Sequence, residues 1–287
     1  MHRFRPAAAL LAALALAATH PARAGAQCAG CLPRTRGEGV SLAGNALLAG
    51  TTAAIGAGLH RRPVAPAFAA GAAGGVLTYA GKRIAVEDAR GAGALGREVA
   101  ALGTSVAANA AEGRGVASRL VLPAGPVRLY VNVRGPGPRL RARADAAALA
   151  GLAYAASRKG ARFDAGESLS AGALVFRVRG VPVTGYDGRH VAGVVMLRDG
   201  EDPARVARAG AHERVHVIQY DQSFLLWAAP AEGRLTEGAR WSRALHRWAD
   251  LGLNEPALAA AGALLPYHAQ PWEAESRVLA AVPLGRR

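Results

Sequence analysis

Two charge-free runs of small residues constrain what this chain can fold into more than any other feature. Gly39 to Leu59 carries no charged side chain across 21 residues, and Pro63 to Gly81 is uncharged again after the interruption His60-Arg61-Arg62. Each run is near the length of a membrane-spanning helix, which needs about 20 residues. The composition is Ala and Gly rather than Leu and Ile, with glycines at 44, 50, 56, 58, 71, 74, 75 and 81. Small residues at such spacings let two helices approach closely. The runs therefore predict a helical hairpin with a basic turn. Length favours membrane association through residues 39–81, and weak hydropathy favours a tightly packed soluble hairpin. Lys82 to Gly113 reads as a continuing helix with glycine interruptions, so a helical segment is expected over 27–114.

Upstream, residues 1–26 have the form of a secretory signal. Arg3 and Arg5 supply a charged start, Ala7 to Ala18 a short Ala/Leu stretch, and Ala22-Arg23-Ala24 or Ala24-Gly25-Ala26 a small-residue cleavage site. Export to the periplasm or envelope is the expectation. Cys28 and Cys31 follow as the only cysteines, and in an oxidising compartment a local disulfide is the simplest reading of them.

The net charge of +15 raises nucleic acid or an anionic surface as a partner. The positive charge is almost all arginine, 33 residues against the two lysines Lys82 and Lys159. No arginine cluster is interleaved with aromatic residues as a nucleic-acid groove requires. Nucleic acid is therefore not expected as a partner.

The chemistry-bearing motif is His212-Glu213-Arg214-Val215-His216, an HExxH inside a helix-compatible run. Residues four apart stand one turn above each other on a helix, so both imidazoles leave from one face. Two imidazoles so placed can share a Zn²⁺ at about 2.0–2.1 Å each. Glu213 begins the next row, close enough to take a proton from an attacking water without being a ligand. Given 8 His and 12 Glu in 287 residues, chance supplies roughly 0.01 such matches. Asp202 as N-cap and Pro203 at the first helical position open this helix, which must end by Pro230.

Short strands precede it. Arg119 to Leu122 and Val127 to Val133 flank Pro123-Ala124-Gly125, and Leu140, Ala142 and Ala144 alternate with three arginines. These predict a meander with one solvated, arginine-lined face. Ala146 to Ser157 reads as a helix, Ala173 to Val181 and His190 to Arg198 as two apolar strands. Beyond the motif the chain is helical, with Thr236 to Leu251 amphipathic. The fold class expected is α+β, with a small sheet and the HExxH helix in a domain over 115–287. A sheet edge beside that helix is where an extended peptide could pair.

A catalytic zinc normally has three protein ligands. Gln219 and Gln222 occupy the places where a metzincin needs glycine and histidine, which removes that class. His246, Asp250, His268, Glu273 and Glu275 are the downstream candidates. HERVHVIQYD followed by PYHAQPWEAES resembles the HExxHxxQ…Y…PxExEA pattern of zincin-type bacterial metallopeptidases, with Ser276 departing at the last position. More broadly it is similar to the gluzincins, whose third ligand is a glutamate on a later helix. The resemblance covers some 22 residues and implies His212, His216 and Glu273 as zinc ligands, with Glu275 as the fallback. It implies Glu213 as general base and Tyr267, with His268 competing, as a hydrogen-bond donor to a developing oxyanion. Arg277 stands where better-known gluzincins carry an aspartate beside the metal. On the helix, Gln219 lies two turns past His212 and either orients a ligand or substrate or is a solvated position.

The implied activity is zinc-dependent hydrolysis of a peptide or protein substrate. A rival expectation is an envelope scaffold whose zincin-like domain is inactive and whose working part is the hairpin.

Overall fold

A computed structural model of the chain describes residues 34–134, 139–179, 187–200, 202–230, 232, 240–265 and 270–280. The leader segment 1–26, Cys28, Cys31, Tyr267 and His268 lie outside the described residues. The architecture is mixed α+β, with many helices and two small sheets.

Three helices come first: α1 (Arg34–Leu59), α2 (Val64–Ala85) and α3 (Ala92–Ala111). The expected continuation through 82–113 is broken between Ala85 and Ala92, where Gly91 turns the chain at φ +80°. Gly91 is the N-cap of α3, and glycine adopts its left-handed conformation without steric cost. The three helices pack backbone to backbone. A Cβ added at Gly71 would lie 2.5 Å from Ala53 Cβ and 2.6 Å from Ala49 O, and one at Gly81 would strike Gly96 and Ala100. Thr78 and Thr104 satisfy their buried hydroxyls on the Gly74 and Ala100 carbonyls.

The strands β1 (Arg119–Ala124), β2 (Val127–Asn132) and β3 (Arg139–Asp145) form the expected antiparallel meander, and β8 (Ala249–Asp250) joins β3 in parallel. In β2 the buried side is not the valine side. Arg128 and Tyr130 of β2 are inside, at 3% and 7% exposure. The Arg128 guanidinium lies 3.4 Å over the Phe224 ring and 2.5 Å from Asp145. A buried arginine is tolerable because carboxylates and aromatic faces surround it. The same logic shortens the expected helix 236–251: among the described residues it spans only α7 (Arg240–His246) before β8 places Asp250 beside Tyr130, 2.7 Å away.

Helix α4 (Ala146–Ala156) leads to the second sheet, with α5 (Ala165–Ala171) between its first two strands. This sheet contains β4 (Arg162–Phe163), β5 (Leu174–Val178), β6 (Gly188–Val191) and β7 (Val194–Arg198), in the order β4-β5-β7-β6. The run His190 to Arg198, expected as one strand, is a hairpin. Ala192 and Gly193 both have positive φ, +45° and +80°, the geometry of a two-residue turn matched to strand twist. The turn folds β6 back antiparallel to β7 and makes it an edge strand.

Helix α6 (Pro203–Ser223) carries the motif, with Asp202 accepting from the Ala204 N–H at 3.1 Å as its N-cap. It continues through a π-helical turn, Phe224–Ala228, a distortion common near functional sites. Val206 and Val217 pack on Val195 and Leu197 of β7, while Ala211 and Val215 pack on Leu279 and Ala280. Each such Val or Leu contributes about 1.5–3 kcal/mol by leaving water. The buried pair Arg97–Asp221, 2.7 Å apart, ties α3 to α6. The last helices are α8 (Asn254–Leu264) and α9 (Pro271–Ala280). On α9, Glu273, Ser276, Leu279 and Ala280 are the buried residues; their spacing of three and four makes one face. That face turns onto α6.

Candidate metal centre

Helix α6 delivers His212 and His216 from one face, and their Nε2 atoms lie 3.0 Å apart. The anchoring of Leu279 against Ala211 and Val215 holds α9 across them. Glu273 thereby sets Oε2 3.3 Å from His212 Nε2 and Oε1 3.2 Å from His216 Nε2. Nitrogens and oxygens bound at 2.0–2.2 Å around a tetrahedral zinc are about 3.3 Å from one another. Two imidazoles and a carboxylate at this spacing fit a zinc ion in donor chemistry and in separation.

The histidine orientation is fixed from behind. His216 Nδ1 lies 2.7 Å from Gln219 Oε1, which can only accept, so the proton belongs on Nδ1 and the Nε2 lone pair faces the site. Gln219 Nε2 donates to Glu275 Oε2 at 2.8 Å and to the Trp272 carbonyl at 3.1 Å. Glu275 accepts in turn from the fully buried Lys82 Nζ at 2.8 Å and from the Asn45 amide. Burial alone would raise the Glu275 carboxyl; Lys82 and these hydrogen bonds hold it below the ordinary glutamate range. Glu275 thus points to Lys82 and Gln219 rather than to the imidazoles, and Gln219 is half-buried on the cavity wall, with its amide spent on His216, Glu275 and Trp272 rather than on solvent. A glutamine held from behind by a carboxylate fixes the orientation of the histidine it faces.

Glu213 is turned toward the edge strand. It is 6% exposed, and burial raises its carboxyl above the usual range, against the pull of His216 and His212 and of the His190 backbone N–H that donates to it. Gly188 makes the room: a Cβ there would lie 2.9 Å from Glu213 Cγ. His190 stands beside the motif, its ring centroid 6.3 Å from that of His216. Its Nε2 accepts from the Gly193 N–H at 2.7 Å, and burial pushes the imidazole well below the ordinary histidine value, followed by the effect of His216. It is a neutral ring. A cavity of about 330 Å³ opens over the centre, lined also by Gly188, Glu255, Leu258 and Trp272.

Ser276 is fully buried, with Oγ 3.4 Å from Nε2 of both histidines while it donates back to the Trp272 and Glu273 carbonyls. Its place one turn after Glu273 is the only sequence signal for this role. The contribution of β6 has no short-range signal, because it depends on the Ala192-Gly193 turn. Of the remaining downstream candidates, His246 and Asp250 are committed elsewhere. Asp250 accepts from Tyr130 and Arg143, and His246 Nε2 sits 3.2 Å from Arg143. With Glu232 they make a second group of possible donors. Glu232, however, already accepts the Leu251, Gly252 and Leu253 N–H groups, and Arg143 already engages both Asp250 and His246 at 3.2 Å.

Compared with known proteins, the chain matches no family model, no curated protein and no solved structure.

Proposed function

We propose that the chain is a zinc-dependent hydrolase of the zincin type, gluzincin-like in its ligands, acting on peptide bonds. The observation that carries this reading is the convergence of His212, His216 and Glu273 at zinc-ligand spacing with Glu213 one residue along the same helix. Three protein donors beside a cavity leave a coordination position for solvent or substrate, the mark of a catalytic rather than structural site. Zinc bound there supplies Lewis-acid polarisation of a carbonyl and a lowered pKa for water.

The chain's own groups do the rest. Glu213 accepts a proton from the attacking water and returns it to the leaving nitrogen, so the carboxylate ends each cycle as it began. Gln219 holds His216 in the tautomer whose Nε2 lone pair faces the site. The edge strand β6 lines the cavity, where an extended peptide laid along it would take over the His190 N–H that Glu213 now accepts. The C-terminal part from 115 onward is read as the zincin-like domain, with export to the envelope as its setting.

The test is zinc stoichiometry by atomic absorption for the purified protein and for His212→Ala, alongside cleavage of an unstructured protein substrate. One zinc per chain lost in the variant, with loss of cleavage, is expected. Equal and negligible zinc in both would sink the reading.

A further inference from the structure

The helices α1 and α2 sort their side chains by size in the reverse of a water-facing pair. Turned inward are Ala49, Ala53, Ala57, Gly71, Gly74 and Gly75, all buried. Turned outward are Val40, Leu47, Leu48, Leu59, Val64 and Val76, between 42% and 72% exposed. Burying a leucine instead of an alanine stabilises a soluble pair, since each CH₂ removed from water contributes about 0.8 kcal/mol. A water-exposed hairpin would therefore show the opposite arrangement. Between lipid-embedded helices the apolar surroundings supply no such drive; small residues go inside because they allow close backbone contact, and large apolar ones face the acyl chains.

Length and charge agree. The two runs are uncharged over 21 and 19 residues, about 30 Å of helix at 1.5 Å per residue, against a hydrocarbon layer of about 30 Å. Both helices are long and apolar enough to cross a membrane by length and composition, and little of either apolar stretch is buried. The other side of the pair is already taken by α3, as the Gly74–Gly103 and Gly81–Gly96 contacts require. Charges occur only at the ends. His60, Arg61 and Arg62 are exposed at the turn, while Lys82 and Arg83 at the far end are drawn inward to Glu275 and Glu38. Exposed basic groups ending an apolar face match anionic headgroups.

We propose that the outer face of α1 and α2 is covered by the acyl chains of a lipid bilayer, with the His60-Arg61-Arg62 turn at its headgroups. The inference is independent of the metal site.

The full chain and the Leu47→Glu/Leu48→Glu/Val76→Glu variant are to be compared by flotation with phosphatidylglycerol–phosphatidylcholine vesicles. Both carry the same residues 1–33, so any contribution of that segment cancels. The wild type floats with the vesicles, and the variant loses at least about tenfold of that binding, because each charge in an apolar layer is strongly disfavoured. Its circular-dichroism melt is little changed, since all three side chains are exposed. Should the glutamates impair folding, the corresponding serine variant is used, and a smaller loss of flotation is expected. Equal flotation of both chains, or a wild type that stays in the aqueous fraction, overturns the proposal. So does a wild-type dimer that the variant dissociates without any change in vesicle binding, because a second copy would then cover the face.

Discussion

The side-chain oxygen of Gln219 lies 2.7 Å from Nδ1 of His216, and its amide nitrogen reaches Glu275 Oε2 at 2.8 Å. One glutamine thus couples an imidazole of the candidate metal centre to a carboxylate held by Lys82. Gln219→Ala removes the acceptor that fixes the tautomer of His216. Losses of outer-sphere partners typically cost about 10–100-fold in metal affinity. Zinc affinity measured by competition with a chromophoric chelator should fall by that amount, with the melting profile of the metal-free protein little changed. Unchanged affinity would remove Gln219 from the centre's support.

Lys82 is 1% exposed and bonded to Asn45, Gln222 and Glu275. Lys82→Met leaves Glu275 buried without its cation, a kind of change that costs about 3–5 kcal/mol. Denaturant unfolding should show this loss. The double variant Lys82→Met/Glu275→Gln should regain much of it, since neither remaining group is then charged. Equal stability of the single and double variants would mean that the pair is not what the lysine serves.

Zinc held by this triad would join α9 to α6, because Glu273 belongs to one and both histidines to the other. A ligand that binds only the folded state at a hundred times its dissociation constant stabilises by about 2.7 kcal/mol. Thermal melting in excess zinc and after chelation should therefore differ, and the difference should vanish in His216→Ala. A chelator effect that persists in that variant would place the stabilising ion elsewhere.

How much of this was legible in the sequence depends on range. The start of α6 is written locally: Asp202 caps and Pro203 initiates, so the phase of His212 and His216 follows. The meander is likewise local, with glycine and proline between its successive strands and Asp145 capping the helix that follows the last. What sequence does not carry is the choice of buried face where two forces compete. On β2 the valines satisfy an alternation rule, yet Arg128 and Tyr130 go inside because Asp145, Asp250 and Phe224 from three other segments receive them. The β6–β7 hairpin was illegible for a different reason, since Ala192 adopts positive φ without being one of the residues that favour it. Lys82 reads in the chain as the end of an apolar run, and only the path of α9 makes it a partner of Glu275.

Asp164 gives a prediction in pH. It is the N-cap of α5, accepting from the Glu167 N–H at 3.0 Å and pairing with Arg177 at 3.0 Å. The cap hydrogen bond foremost, then the arginine, hold its carboxyl below the ordinary value of 3.8 despite some burial. A depressed carboxyl stabilises the fold above its unfolded pKa, and this stabilisation is lost as pH falls through the folded value. Asp164→Ala should cost about 1 kcal/mol near neutral pH. The gap between wild type and variant, followed by denaturant unfolding from pH 7 downward, should hold until about pH 4 and close below it. A gap that widens on acidification would show that the charged carboxylate is not the stabilising form.

Glu213→Gln separates chemistry from metal binding. Glu213 is one residue from His212, but its carboxylate is turned to Gly188 and the His190 N–H rather than to the imidazole pair that Glu273 meets. An amide of the same shape keeps that packing and can still accept from His190, so zinc stoichiometry and fold should both be retained. It cannot take a proton from water at any accessible pH. Loss of a positioned general base costs about 10²–10⁴ in rate, and cleavage measured under saturating zinc should fall within that range. Glu273→Gln should behave in the opposite order, losing zinc first and activity with it. If Glu213→Gln kept full cleavage while His212→Ala abolished it, proton transfer would have to be assigned to another group on the cavity wall. Among the described lining residues Glu255 is the remaining carboxylate outside the motif and Glu273, which makes Glu255→Gln in the Glu213→Gln background the deciding measurement.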